Sequence, residues 1–126
     1  MKIVLADLPD DAPEEKKAFV RVIAEFLSNL KGAYLVVTKN LLNAEAQAVG
    51  ADVVIIFPEF PSDWAEEAVY QARRNARPVV PIHIGGGNSG YLELTMSTRD
   101  KSLELQGEEG FPRMARVIRQ ITKKAP

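Results

Sequence analysis

Two kinds of hydrophobic pattern alternate along the chain. Nearly unbroken apolar runs fall at 2–8 (Lys-Ile-Val-Leu-Ala-Asp-Leu), 33–38 (Ala-Tyr-Leu-Val-Val-Thr), 52–57 (Asp-Val-Val-Ile-Ile-Phe) and 78–84 (Pro-Val-Val-Pro-Ile-His-Ile). Between them apolar residues recur every three or four positions. Continuous runs of about five apolar residues mark strands covered on both faces, as in a parallel sheet packed between helices. The spaced pattern marks amphipathic helices. Asp11 is placed to cap the first helix, with Pro13 in its first turn and Glu14 three residues on. That helix is expected to bury Phe19, Val22, Ile23, Phe26 and Leu30 and to stop at Gly32.

A second, weaker helix over 39–49 closes at Gly50. Pro58 and Pro61 bracket a rigid loop after the third strand. Asp63 with Glu66 reads as a capping box opening a helix to about Ala76, with Ala65, Ala68, Val69 and Ala72 facing inward. Gly85-Gly86-Gly87-Asn88-Ser89-Gly90 is a loop, Tyr91–Met96 suits a helical turn or a strand, and 102–106 suits an edge-like fifth strand. Phe111, Met114, Val117, Ile118 and Ile121 form the apolar stripe of a last helix. Strands alternating with helices predict right-handed crossovers in a mainly parallel sheet. Five strands and five helices in this length predict a single α/β domain over 1–126. It is a three-layer α/β/α sandwich of flavodoxin-like order 2-1-3-4-5. In that order a ligand crevice lies outside the carboxyl ends of strands one and three. Asp7, Pro58, Glu59, Trp64 and the 85–90 glycine loop are expected to gather there, with His83 a separate ligand-binding candidate on the fourth strand.

Composition narrows the chemistry. The 126 residues are 46% hydrophobic and 26% charged, ordinary for a globular domain. No apolar run approaches the roughly 20 residues that span a bilayer, and no signal-peptide pattern opens the chain, so a cytoplasmic location is expected. There is no cysteine, which removes disulfides, thiolate metal sites and a cysteine nucleophile. His83 is the sole histidine, so no multi-histidine metal site can form. No GxSxG elbow supports serine-hydrolase chemistry.

The net charge of −1 is uneven: residues 1–63 carry six Lys/Arg against ten Asp/Glu, residues 64–126 ten against seven. The basic excess lies at Arg73, Arg74 and Arg77 and at Arg113, Arg116 and Arg119. The last three share one side of a helix and offer a surface for a protein partner. A solvated face opposite an apolar stripe is the simpler reading of the same residues, and nucleic acid is not the expected partner.

For the remaining candidates a structural reading stands beside each functional one. Glu67, with Glu66 as a like charge beside it, can serve as a catalytic carboxylate. Adjacent glutamates in a first helical turn also complement the helix dipole. Trp64 can stack on a base or lid the core. His83 suits a site at a strand end or a satisfied interior imidazole. Gly85, Gly86, Asn88 and Ser89 can cradle a phosphate through backbone N–H groups, or form a surface loop.

Two family resemblances follow from these residues. The segment Asp-Val-Val-Ile-Ile-Phe-Pro-Glu-Phe-Pro-Ser-Asp-Trp with Pro-Val-Val-Pro-Ile-His is similar to the third and fourth strands of response-regulator receivers. That family's acidic pair, phosphoacceptor, hydroxyl and lysine positions hold Asp7 with Leu8, Phe57, His83 and Gln106 here. Phenylalanine accepts no phosphoryl group, so this resemblance implies a pseudo-receiver that keeps the fold and a partner surface. The run from Val53 to Val69 also resembles the Toll/interleukin-receptor-like domains and their relatives the nucleoside deoxyribosyltransferases, in which Ser-x-Trp precedes a helical glutamate. Ser62 and Trp64 match. The family's glutamate position falls at Ala68, and Glu67 stands one residue before it. This resemblance implies a glutamate working on the ribose of NAD or a nucleoside during N-glycosidic cleavage. The expected function is a signalling or protein-interaction domain, with a nucleotide-sized ligand (NAD among the candidates) at the crevice and no resident cofactor. The alternative is a small N-glycosidase using Glu67 or Glu66 with Asp7 and Trp64.

Overall fold

A computed structural model describes residues 1–87 and 103–123. Strand β1 (Lys2–Ala6) leads to helix α1 (Glu14–Ser28), β2 (Tyr34–Thr38), α2 (Leu41–Ala48), β3 (Val53–Ile56), α3 (Asp63–Arg74) and β4 (Val79–His83). The short β5 (Leu103–Glu104), a 3-10 turn (Glu108–Gly110) and α4 (Phe111–Lys123) complete it. All four pairings are parallel and the order is β2-β1-β3-β4-β5, the flavodoxin-like arrangement of the sequence reading. The described residues hold four α-helices. Tyr91–Met96, Asn88, Ser89 and the start of the expected fifth strand at Ser102 lie outside them.

Alternation along the strands divides the core into two layers. Ile3, Leu5, Val53, Ile55, Phe57, Val80 and Ile82 pack with Val20, Ile23 and Leu27 of α1 and Phe111, Met114 and Ile118 of α4. Val4, Ala6, Val54, Ile56 and Val79 face the other way, onto Ala48 of α2 and Ala65, Ala68, Val69 and Ala72 of α3. Small side chains on that second face let α2 and α3 approach the sheet closely. Pro81 sits inside β4, where a missing N–H would ordinarily break a ladder. Val54 N donates to Pro78 O and Leu105 N to His83 O, so by the period of two Pro81 faces the β5 side. Among the described residues the β4–β5 pairing starts at Ile82↔Leu103, one residue beyond Pro81.

Several helix boundaries differ from the sequence reading. Helix α1 begins after Pro13, not Asp11, because residues 9–12 form their own turn with Ala12 N donating to Pro9 O. Its buried stripe is Val20, Ile23 and Leu27, with Phe19, Phe26 and Leu30 partly buried and Val22 exposed. It ends at Ser28 with Asn29 as cap; Gly32 (φ +80°) serves the turn into β2. At α3 the cap is Ser62, whose Oγ accepts from Ala65 N at 3.1 Å, so Asp63 is the first helical residue and the helix closes at Arg74.

Candidate functional site

The C-terminal edge of the sheet brings most of the expected residues together, in two groups. Around β1, Asp7 Oδ1 accepts from Leu8 N at 2.8 Å, and its backbone oxygen accepts from the Trp64 indole Nε1 at 2.8 Å. Trp64 thereby ties the first turn of α3 to the end of β1, and its ring packs on the second core layer. Trp64 is half-buried and its indole N–H is already engaged.

Around β4, the loop after β3 turns tightly (Phe60 N to Phe57 O, 3.0 Å) with Pro58 buried, and it aims Glu59 across the sheet. The Glu59 carboxylate accepts from Ile84 N at 2.9 Å and Gly85 N at 2.5 Å. Its Oε1 lies 3.6 Å from His83 Nδ1. Lys16 Nζ, from the first turn of α1, donates to Ile84 O at 2.8 Å. Gly85 and Gly86 both take left-handed backbone (φ +77° and +79°), and a Cβ on Gly86 would lie 2.8 Å from Lys16 Cε. The left-handed backbone is what calls for glycine there, since the lysine end is flexible and can shift. A cleft of about 400 Å³ opens beside this cluster, lined by Lys16, Phe19, Glu59, His83, Glu104 and Gln106 among others.

The chemistry of this edge follows from who holds the amides. The glycine loop begins with N–H groups of the kind that cradle a phosphate, but the chain's own carboxylate occupies them. An anion bound at the Ile84 and Gly85 amides would have to displace Glu59. No group of three or more His, Asp or Glu residues among the described residues can hold a metal ion.

The other candidates lie elsewhere. Glu66 and Glu67 line a groove of about 570 Å³ between α2 and α3, with Leu41, Asp63, Val69, Tyr70 and Arg73. Glu67 accepts from Gln71 Nε2 at 3.1 Å, and the Arg74 guanidinium lies 5.6 Å from the Tyr70 ring centroid. Arg113 reaches the β4–β5 edge beside Glu59, His83 and Glu104. Arg116 is exposed, and Arg119 donates to Lys31 O at 3.4 Å near the opposite end of the sheet. Helix α4 thus distributes its arginines along its length rather than concentrating them.

Sequence reasoning missed Lys16, Leu41, Leu42 and Tyr70. Lys16 was findable, because the first turn of α1 follows a C-terminal strand end. So was the adjacent Leu41-Leu42 pair: neighbours on a helix point about 100° apart, and Ala44 and Ala48 take the core face. No protein-family model and no curated protein sequence matches the chain.

Proposed function

We propose that the protein is a protein-interaction domain whose working surface is the flank built by β2, α2 and α3. The observation that carries this is the placement of exposed apolar side chains. Among the described residues Leu41, Leu42 and Tyr70 are exposed on α2 and α3, Val49 just beyond α2 and Tyr34 on the α2–α3 face of β2, whereas Val37 points to the α1 side, where Val22 is also exposed. Leu42 is 79% and Tyr70 56% exposed. Scattered apolar residues need no explanation, but a concentration on one flank marks an interaction surface.

The α2–α3 groove gives this surface a chemical preference. Leu41, Val69 and Tyr70 supply its apolar wall, and Asp63, Glu66 and Glu67 supply carboxylates against Arg73. Such a groove suits an amphipathic partner segment with apolar anchors and a basic face. In this reading Glu66 and Glu67 select the partner rather than perform catalysis.

The test is photo-crosslinking in the cells that make the protein, with a photoreactive residue at Leu41 or Tyr70 and, as a control, at the exposed Arg21. The proposal expects one defined adduct from both groove positions, lost on adding Glu66→Lys and Glu67→Lys, and none from Arg21. Absence of an adduct from both groove positions overturns it. The rival glycosidase reading has its own readout: release of nicotinamide from NAD, or of base from a deoxynucleoside, that disappears in Glu67→Gln would contradict the interaction reading.

A further inference from the structure

The two edges of the sheet are unlike. Among the described residues strand β5 spans Leu103–Glu104, and a charge such as Glu104 protects an edge from pairing with other chains. Strand β2 is five residues, Tyr-Leu-Val-Val-Thr, with no charge and no proline. Tyr34 is 64% exposed and Val37 45%, so neither α1 nor α2 covers this edge.

The register shows which backbone groups are open. Tyr34 N donates to Met1 O and Thr38 O accepts from Asp7 N, with Tyr34, Val36 and Thr38 opposite Lys2, Val4 and Ala6. Those alternate residues therefore turn their amides toward β1. Leu35 and Val37 turn theirs outward, and no described residue pairs with them. Two N–H and two C=O groups stand in a row on an apolar strand.

The geometry points to a second copy of this chain as the occupant, its β2 lying antiparallel on the first about a two-fold axis at Val36. In that register Leu35 of each copy faces Val37 of the other. Each such pair exchanges both of its N–H···O=C bonds, which satisfies all four open groups of each strand. Val36 faces its own counterpart as the close, non-hydrogen-bonded pair.

Charge complements this arrangement. The exposed Lys31 and Arg119 lie at the amino end of β2. Asp10 and Asp11 are exposed at its carboxyl end, with Lys39 bonded to Asp10 at 2.7 Å. Lys39 and Lys17 offset part of the charge of Asp7, Asp10 and Asp11 and leave that end weakly negative. Antiparallel pairing therefore sets each copy's basic end beside the other's weakly acidic one, whereas a parallel partner would set the basic ends together. The dimer uses β2, which borders the flank proposed above, but none of the residues lining the α2–α3 groove.

The test uses the absence of native cysteine. Val36→Cys places two thiols about 4.5 Å apart in Cα separation at the axis, within disulfide reach. Val37→Cys faces Leu35 and has no thiol partner. Under mild oxidation Val36→Cys is expected to form a covalent dimer at least tenfold faster than Val37→Cys. In sedimentation over a series reaching millimolar, the wild-type mass is expected to rise from 13.9 kDa toward twice that value. Val37→Pro removes an N–H with no partner inside the subunit, so it is expected to stay monomeric with its melting temperature retained; Val37→Lys serves if the proline variant fails to fold. A wild-type mass that stays monomeric, equal crosslinking of the two cysteine variants, or dimerisation that survives the folded Val37 variant would each overturn the proposal.

Discussion

At the carboxyl ends of β1, β3 and β4 the polar groups that reach out of the sheet find partners within the chain. Glu59 takes the Ile84 and Gly85 amides, Lys16 takes the Ile84 carbonyl, and the Trp64 indole takes the Asp7 carbonyl. Along β2 and α2 the chain leaves groups open instead. Leu42 and Val49 stand in solvent, and the amides of Leu35 and Val37 point away from the sheet. The first region is where this topology ordinarily places a ligand; here Glu59 and Lys16 already hold the Ile84 and Gly85 backbone groups that border its cleft. The second has apolar area and backbone donors with nothing on them. A region's place in the fold therefore says where a site can be, and the partners of its polar groups say whether it is ready for one.

The sharpest way to break this comparison is at Glu59. Replacing it with alanine strips the acceptor from two amides at once, and charged acceptors are the costly ones to lose. Glu59→Ala is expected to destabilise by about 2–3 kcal/mol in urea titration, with Glu59→Gln costing about half as much. A Glu59→Ala protein as stable as wild type would mean that this carboxylate does not hold the Ile84 and Gly85 amides.

Trp64→Phe keeps an aromatic ring but leaves the Asp7 carbonyl without its donor, and is expected to cost about 1 kcal/mol. Ser62→Ala removes the α3 cap for a similar loss of about 1 kcal/mol, whereas Asp11→Ala stays within about 0.5 kcal/mol because Asp11 precedes the helix. Equal losses at Ser62 and Asp11 would contradict the observed helix starts.

On the flank the expectation reverses. Leu42→Glu and Tyr70→Glu should leave stability within about 0.5 kcal/mol of wild type, and Tyr70→Glu, inside the groove, should also abolish the adduct formed from Leu41. A large stability loss would place these residues in the core instead.

The smallest effect concerns Asp10 and Lys39. The hydrogen bond and charge of Lys39 hold the Asp10 carboxyl below the usual value, and Asp10 raises the Lys39 ammonium in return. The depressed carboxyl contributes stability at neutral pH that fades as pH falls through its lowered value. The raised ammonium contributes below its ordinary value and loses this as pH rises through the raised one. Both groups are solvent-exposed, so Asp10→Asn should flatten this pH dependence only slightly, and added salt should mask the difference.

The fold was legible because its signals are not local. Val53–Ile56 and Val79–Ile82 are apolar on both faces, and only a covered parallel strand makes use of that. The inner alanines of α3 were legible for the same reason. What escaped was decided by neighbours. Asp11 and Pro13 both suit a helix start, and the choice fell to a turn over residues 9–12. Val22 fits the apolar period of α1, but the helix is rotated to present Val20 and Leu27. At the candidate site, the gathering of Asp7, Pro58, Glu59 and Trp64 followed from the strand order alone. That Glu59 would occupy the glycine-loop amides could not be read, because residues 59 and 84 meet only across the folded sheet.

Amide hydrogen exchange, resolved by residue and repeated across protein concentrations, tests the comparison most directly. The account predicts slow exchange at Ile84 and Gly85 at every concentration. At Leu35 and Val37 it predicts fast exchange when dilute that slows as the protein is concentrated, with Val36 protected throughout by β1. Fast exchange at Ile84 and Gly85, or concentration-independent exchange at Leu35 and Val37, would contradict it.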